Sequence, residues 1–278
     1  MQITKSILKK VYAPRAKWCK KGDFGKVLVI GGSKFYSGSP SFNALAAYRA
    51  GADLVTIAGP ACIADPVRSY APDIIFFPCE TNFLSINCVD MLADMAENSD
   101  ALVIGCGLTR GDELREVVRE VIKHTDKPCV IDADAIHAVA ERKTKLRENC
   151  ILTPHAKEFF VLTGENPTDN TASRAKLVKK AAQKYNCTVL LKGHDDVISD
   201  GQQVAINSTG SPYMTKGGLG DTLAGICGAL LCRTDSFTAA CASAYINGAA
   251  GALAAKKYGE GTMASDLIKE IPVVLINK

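Results

Sequence analysis

Several signatures are missing from this 278-residue chain, and each absence removes a class of function. There are eleven cysteines but no C-x-x-C pair, so a redox dithiol or zinc framework lacks its spacing. The Walker pattern is absent, because Gly25-Lys26 is followed by Val27 and Ser33-Lys34 has the order reversed. No G-x-S-x-G occurs, and Cys106 has no evident histidine partner in sequence, which weakens a hydrolase. Gly105-Cys106-Gly107 lacks the third glycine of a dinucleotide fingerprint, Arg110 standing in its place. Repeats, heptads, low-complexity tracts and linkers are also lacking, so residues 1–278 are expected to form a single domain.

Long apolar runs are scarce too. The N-terminal stretch MQITKSILKKVYAPRAKW has no uninterrupted apolar core, which predicts a cytoplasmic protein without a signal peptide. The alanine-rich segment 237–255 is broken by Ser243, Asn247, Gly248 and Gly251. A tightly packed internal or subunit-facing helix is expected there, not a membrane span. Its small face, Ala244, Gly248, Gly251 and Ala255, would suit the close contacts of a homo-oligomer. Charge is neither abundant nor blocked: 22% of residues are charged and the formal net charge is +4, which argues against nucleic acid and suits a small anionic ligand. The odd number of cysteines, set in runs such as Cys129-Val130-Ile131, fits buried small hydrophobes in a reducing compartment.

What is present is a regular alternation. Apolar runs begin at Lys26, Asp53, Asp73, Ala101, Pro128, Asn149 and Thr188, with helical patterns at 41–51, 112–123, 135–142 and 173–185 between them. Continuous apolar strands alternating with helices predict an α/β fold, a mainly parallel sheet covered on both faces. The runs DVIS and QVAINS flank Asp200-Gly201, a two-residue hairpin signal that predicts an antiparallel ribbon at the sheet edge.

Ligands of such sheets sit at the carboxyl ends of strands. Gly31-Gly32-Ser33-Lys34, Gly105-Cys106-Gly107, Asp132-Ala133-Asp134, Thr153-Pro154-His155 and Lys192-Gly193 each close an apolar run, so they should share one rim. Asp132 and Asp134 could hold Mg²⁺ or a lysine, or begin the next helix. His155 and Glu158 could be half a metal site, but a helix cap with His155 facing a ligand fits better. Lys192, after a buried strand, calls for an anion, either a ligand or a structural partner.

Residues 215–225, TKGGLGDTLAG, place three glycines, Gly217, Gly218 and Gly220, and one acid just ahead of the apolar run that opens the last helical region. Glycines at a helix start let an anion approach unpaired backbone N–H groups. Asp221 is then either the helix cap or a base for a hydroxyl that attacks phosphate; spacing leaves these two equal.

Taken together, GKVLVIGGS, VIGCGL, VIDADAI, LTPHAKEF, LLKG and MTKGGLGDTLAGI resemble the ADP/ATP-dependent NAD(P)H-hydrate dehydratases of the ribokinase-like superfamily. The resemblance implies a three-layer α/β/α fold and a nucleotide-driven hydro-lyase that returns the S epimers of hydrated NADH and NADPH, here NADHX and NADPHX, to the reduced cofactors. It implies that Asp221 takes the proton of the C6 hydroxyl, with amides around Gly217, Gly218 and Gly220 holding the transferring phosphoryl. Ser39, Gly107, His155 and Asp221 would contact the hydrated dinucleotide. Lys192, Gly193, His194, Asp195, Asp196, Gly217 and Gly220 would hold ADP or ATP, with Mg²⁺ expected, and a separate NAD(P)HX epimerase would be the functional partner. The chain departs from the family pattern at Cys106, where proline is common, at Ser39-Pro40, and at Thr215-Lys216. The glycine loop alone is shared with kinases of small alcohols such as thiazoles, vitamins or sugars, the alternative function.

Overall fold

The computed structural model describes residues 1–142, 144 and 146–276. Its strands are β1 (Lys26–Ile30), β2 (Leu54–Pro60), β3 (Ile75–Cys79), β4 (Ala101–Ile104), β5 (Cys129–Ile131), β6 (Cys150–Leu152), β7 (Thr188–Leu191), β8 (Asp196–Ser199) and β9 (Val204–Asn207). The α-helices are α1 (Leu8–Val11), α2 (Gly38–Arg49), α3 (Ala64–Tyr70), α4 (Val89–Glu97), α5 (Asp112–Lys123), α6 (Asp134–Arg142), α7 (Ala156–Thr163), α8 (Thr171–Tyr185), α9 (Leu219–Leu231), α10 (Ser236–Tyr258) and α11 (Ala264–Ile276).

One sheet runs in the order β3-β2-β1-β4-β5-β6-β7-β8-β9. Strands β1 to β7 pair in parallel, and β8 and β9 are antiparallel additions. Because side chains alternate across a strand, an unbroken apolar run supplies two cores at once. Val27 and Val29 of β1 join a core with α2, α9, α10 and α11, while Leu28 and Ile30 join the opposite core with α4 to α8. Burying each such side chain contributes about 1.5–3 kcal/mol.

Helix α5 occupies the expected range. Helix α2 starts earlier than expected, at Gly38, because Pro40 falls in its first turn, where a missing N–H costs nothing. Asn170 starts α8 by accepting the Ser173 N–H at 2.9 Å. The hairpin has a four-residue loop, not two: Ser199 pairs with Val204, and Asp200 Oδ1 accepts from the Gln202 and Gln203 amides at 2.8 and 2.7 Å. The outer edge of β9 is met by the start of the chain, where Gln2 bridges Ile206 in parallel and the Ile3 N–H donates to the Ile206 carbonyl at 2.8 Å.

Helix α10 is internal. Its small face is covered by the loop after β9, not by another helix: a Cβ at Gly248 would overlap Thr209 and one at Gly251 would overlap Met214. That face is therefore spent within the chain. Among the described residues no helix is long and apolar enough to cross a membrane.

Candidate active site

The chain leaves β1 for β2 and β3 on one side, then returns to β4 on the other, so the sheet's switch point lies between β1 and β4. A crevice opens at such a point because the flanking connections diverge. Here the two turns are held together, the Gly32 N–H donating to the Cys106 carbonyl at 2.9 Å. Gly107, at φ 74°, takes a left-handed conformation, and a Cβ on it would stand 3.2 Å from Ser39 Cβ. Ser39 and Gly107 are thus brought together, as their expected common role requires.

Helix α9 crosses behind them. Gly225 is needed there, because any Cβ would overlap the Asn43 carbonyl of α2. The same Asn43 sends its Nδ2 to the Asp221 carbonyl at 2.7 Å, fixing the first turn of α9. The helix N-cap is Gly218, at φ 90°, and makes no side-chain cap. Asp221 is the third helical residue, so the capping role weighed from the sequence is not what its side chain does. Its carboxylate lies among Cys106 and Asp132, the three ligand atoms being within 4.8 Å of one another. Burial raises the Asp221 pKa, and the Asp132 charge raises it further, against contacts with the Cys106 thiol, Lys192 and the Ser39 hydroxyl. Burial also pushes the Cys106 thiol well up, so it stays protonated, with Sγ 3.6 Å from Asp132 Oδ2.

Asp132 and Asp134 part company. The strand stops at Ile131, Ala133 turns at φ 50°, and Asp134 begins α6. Asp132 Oδ1 accepts from Lys192 Nζ at 3.0 Å and from Thr153 Oγ1 at 2.8 Å. It is the anion that the buried lysine called for. Burial alone would lower the Lys192 pKa, but Asp132 and Glu158 more than offset it, so the ammonium stays charged. A Cβ at Gly220 would stand 3.4 Å from that ammonium, which places the charge beside the first turn of α9.

His155 caps α7: its Nδ1 accepts from the Lys157 and Glu158 amides at 3.1 and 3.2 Å, and Glu158 Oε2 accepts from the His155 N–H at 2.8 Å. Burial, then Lys192, lowers the His155 pKa. The neutral ring therefore carries its proton on Nε2, which lies 3.4 Å from Glu158 Oε1. Burial raises the Glu158 pKa to about 7, against Lys192.

Beside this centre is a cleft of about 530 Å³ whose wall includes His155, Lys192, Gly193, His194, Asp196 and Gly220. Asp196 accepts from the Gly193 N–H and from Asn207 Nδ2, each at 3.1 Å, and burial raises its pKa to about 6. Two expected nucleotide residues stand outside that wall. Asp195 turns to α8, accepting from Thr171 Oγ1 at 3.2 Å, and Gly217 is exposed, with open space where a side chain would stand. Lys216 is likewise directed away, donating to the Glu260 carbonyl.

The sequence reading missed the opposite wall, Thr209, Ser211, Met214 and Asn247. Asn247 reaches it from α10 and ties α9 down, accepting from Thr222 Oγ1 at 2.8 Å and donating to the Leu219 carbonyl at 3.3 Å. It also missed Arg174, whose Nη2 donates to the Lys192 and Asp195 carbonyls at 3.3 and 3.4 Å and shapes the turn between them.

A mainly parallel, three-layer sheet with its site at this switch point is the ribokinase-like arrangement. The structure superposes on that of Bacillus subtilis ADP/ATP-dependent NAD(P)H-hydrate dehydratase, co-crystallised with ATP and Mg²⁺, with a TM-score of 0.85 and 27% identity over 99% of this chain and 97% of that one. Residues 27–273 match the family model for NAD(P)H-hydrate dehydratase, and the chain belongs to that family. It is 45% identical over 259 residues to the bifunctional NAD(P)H-hydrate repair enzyme Nnr of Pyrobaculum aerophilum, covering 92% of this chain but 51% of the relative. The chain thus spans about half the length of the bifunctional relatives it matches. It is 39% identical over 271 residues to the ADP-dependent (S)-NAD(P)H-hydrate dehydratase of Cenarchaeum symbiosum, covering 96% of this chain and 94% of that one.

Proposed function

We propose that this chain is a nucleotide-dependent hydro-lyase that returns the S epimers of NADHX and NADPHX to NADH and NADPH, with ADP or ATP as the phosphoryl donor. The observation that carries the reading is the position of Asp221: a carboxylate of raised pKa in the first turn of α9, between the Ser39–Gly107 contact and the large cleft.

Lys192, Gly193, His194, Asp196 and Gly220 bind the nucleotide in that cleft. Asp195 and Gly217 support it through the backbone of their turns. Ser39, Gly107 and His155 hold the hydrated ring. Asp221 takes the C6 hydroxyl proton as that oxygen bonds to the terminal phosphorus and the bond to the nucleotide breaks. Amides at Gly218 and Gly220, with Lys192, face the charge on the phosphoryl; aimed donors of this kind are worth roughly 2.7–4 kcal/mol. The ring-nitrogen lone pair then expels phosphate from C6, and loss of the C5 proton restores the dihydropyridine. The Nδ1 capping bonds remove His155 as the base for that proton.

The donor set fits Mg²⁺ carried in on nucleotide phosphates: the Asp132 and Asp221 carboxylates are hard oxygen donors, whereas the protonated Cys106 thiol is not a magnesium ligand. When bound, Mg²⁺ would neutralise phosphate charge. One domain, a cytoplasmic location and an epimerase as functional partner complete the reading; a homo-oligomer would have to be built on a surface other than the small face of α10.

The purified chain, given hydrated NADH or NADPH with ADP or ATP, should restore dihydronicotinamide absorbance. From a mixture of epimers it should consume only the S fraction until an epimerase is added. No recovery with either nucleotide overturns the reading, and a stable phosphorylated alcohol accumulating instead would favour the small-alcohol kinase.

A further inference from the structure

A second cavity, of about 260 Å³, adjoins the reaction centre through His155, the one residue it shares with the wall of the large cleft. Arg110 and Lys157 bring cationic side chains to it, Asp134 and Glu158 bring carboxylates, and burial lowers the pKa of the His137 ring, which stays neutral. Both carboxylates are already engaged: Asp134 Oδ2 accepts from the Thr109 N–H at 2.9 Å and its Oδ1 lies 3.6 Å from Arg110 Nε, while Glu158 Oε2 accepts from the His155 N–H at 2.8 Å and lies 3.9 Å from Lys192 Nζ. The outer guanidinium nitrogens of Arg110 remain available, since its side chain is 73% exposed. Lys157 has no ion-pair partner among the described residues. Arg110 and Lys157 thus face the cavity with donors that its two carboxylates do not occupy.

The turns that present these groups are held under strain. Thr109 and Ala133, neither a glycine, take φ of 72° and 50° on the turns after β4 and β5. A β-branched residue in that region is a true outlier, and such strain persists where surrounding bonds enforce it. Here the Asp134 carboxylate holds the Thr109 N–H, on the turn that brings Arg110 to the cavity. A planar guanidinium joined by a free ammonium is the chemistry that takes a phosphate.

The large cleft already supplies Lys192 for the nucleotide. The dehydratase reading leaves a second set of anions to place: the pyrophosphate of the hydrated dinucleotide and, in NADPHX, its 2′-phosphate. We infer that the Arg110–Lys157 cavity is the subsite for a phosphate of the dinucleotide substrate, reached past His155; this rests on the dehydratase reading.

The test compares Arg110→Ala, Lys157→Ala and the double variant in steady-state kinetics with NADHX and NADPHX at saturating nucleotide. Nucleotide-induced thermal stabilisation reports that each variant is folded. Each single variant should raise KM about tenfold, the scale of one lost charge-assisted contact, with kcat little changed. Lys157→Arg should keep the wild-type KM. A rise for NADPHX alone assigns the cavity to the 2′-phosphate; an equal rise for both hydrates assigns it to the pyrophosphate. Unchanged KM for both hydrates in the double variant, or a loss confined to kcat, overturns the subsite while the dehydratase reading stands. A wild-type chain that converts neither hydrate overturns that reading, and the subsite with it.

Discussion

At the scale of single residues, the centre is a set of charges whose environments oppose one another. Asp221 is largely desolvated next to Asp132 and so holds its proton to higher pH than an ordinary carboxyl. A general base works only when deprotonated, so the acid limb of kcat/KM should lie above the usual carboxylate range, with activity rising as pH rises through it. Asp221→Asn should lower kcat by roughly 10²–10⁴-fold with nucleotide binding retained, measured by turnover and by calorimetry. Lys192 has a different part, holding Asp132 at 3.0 Å with its own side chain 20% exposed. Lys192→Met leaves that carboxylate buried and unpaired, and should cost about 3–5 kcal/mol in urea unfolding at pH 8. The loss should shrink in the double variant with Asp132→Asn, which removes the unpaired charge. Some of this was visible in the sequence: a lysine closing a buried strand demands an anion. Which anion was not, because Asp132 is 60 residues away and only the parallel register of β5, β6 and β7 brings the two strand ends together.

At the scale of elements, strands were the most legible feature, since runs buried on both faces show no polar interruption. Boundaries failed where one side chain changed the outcome. The helical pattern was read from residue 41, but Pro40 lies inside the first turn of α2, and the Asp200 side chain widened the hairpin by bonding two amides of its own loop. The far wall of the cleft was illegible for another reason. Thr209, Ser211 and Asn247 become a surface only when the loop after β9 lies on α10, and the one local trace of that contact is the Gly248 and Gly251 pair, which suits a partner helix as well as a loop. The tightest helix contact gives a sharper prediction. Gly225→Ala forces α9 away from Asn43 and should destabilise by about 1–3 kcal/mol in denaturant titration. Because Asn43 also positions the first turn of α9, kcat should fall with stability, whereas a Leu102→Ala cavity in β4 should weaken the fold without that kinetic loss.

At the scale of the whole molecule, ligand and fold are coupled because the cleft joins parts far apart in the chain: the turn after β7, the loop after β9, and helices α9 and α10. A nucleotide bound among them should hold the native state by mass action, about 2.7 kcal/mol at a concentration 100-fold above Kd. Differential scanning fluorimetry should therefore record a higher Tm with ADP or ATP, and no such rise with adenosine. An unchanged Tm at saturating nucleotide would remove the cleft as the nucleotide site.

The pairing of Gln2 and Ile3 with β9 sets a schedule for biosynthesis. The partner of these two residues leaves the ribosome roughly two hundred residues after them, on the order of 10–40 s at ordinary elongation rates. Through that interval the growing sheet has no finished border on this side, so native closure must follow translation of the hairpin, and nascent chains arrested before Val204 are the ones that should call on chaperones.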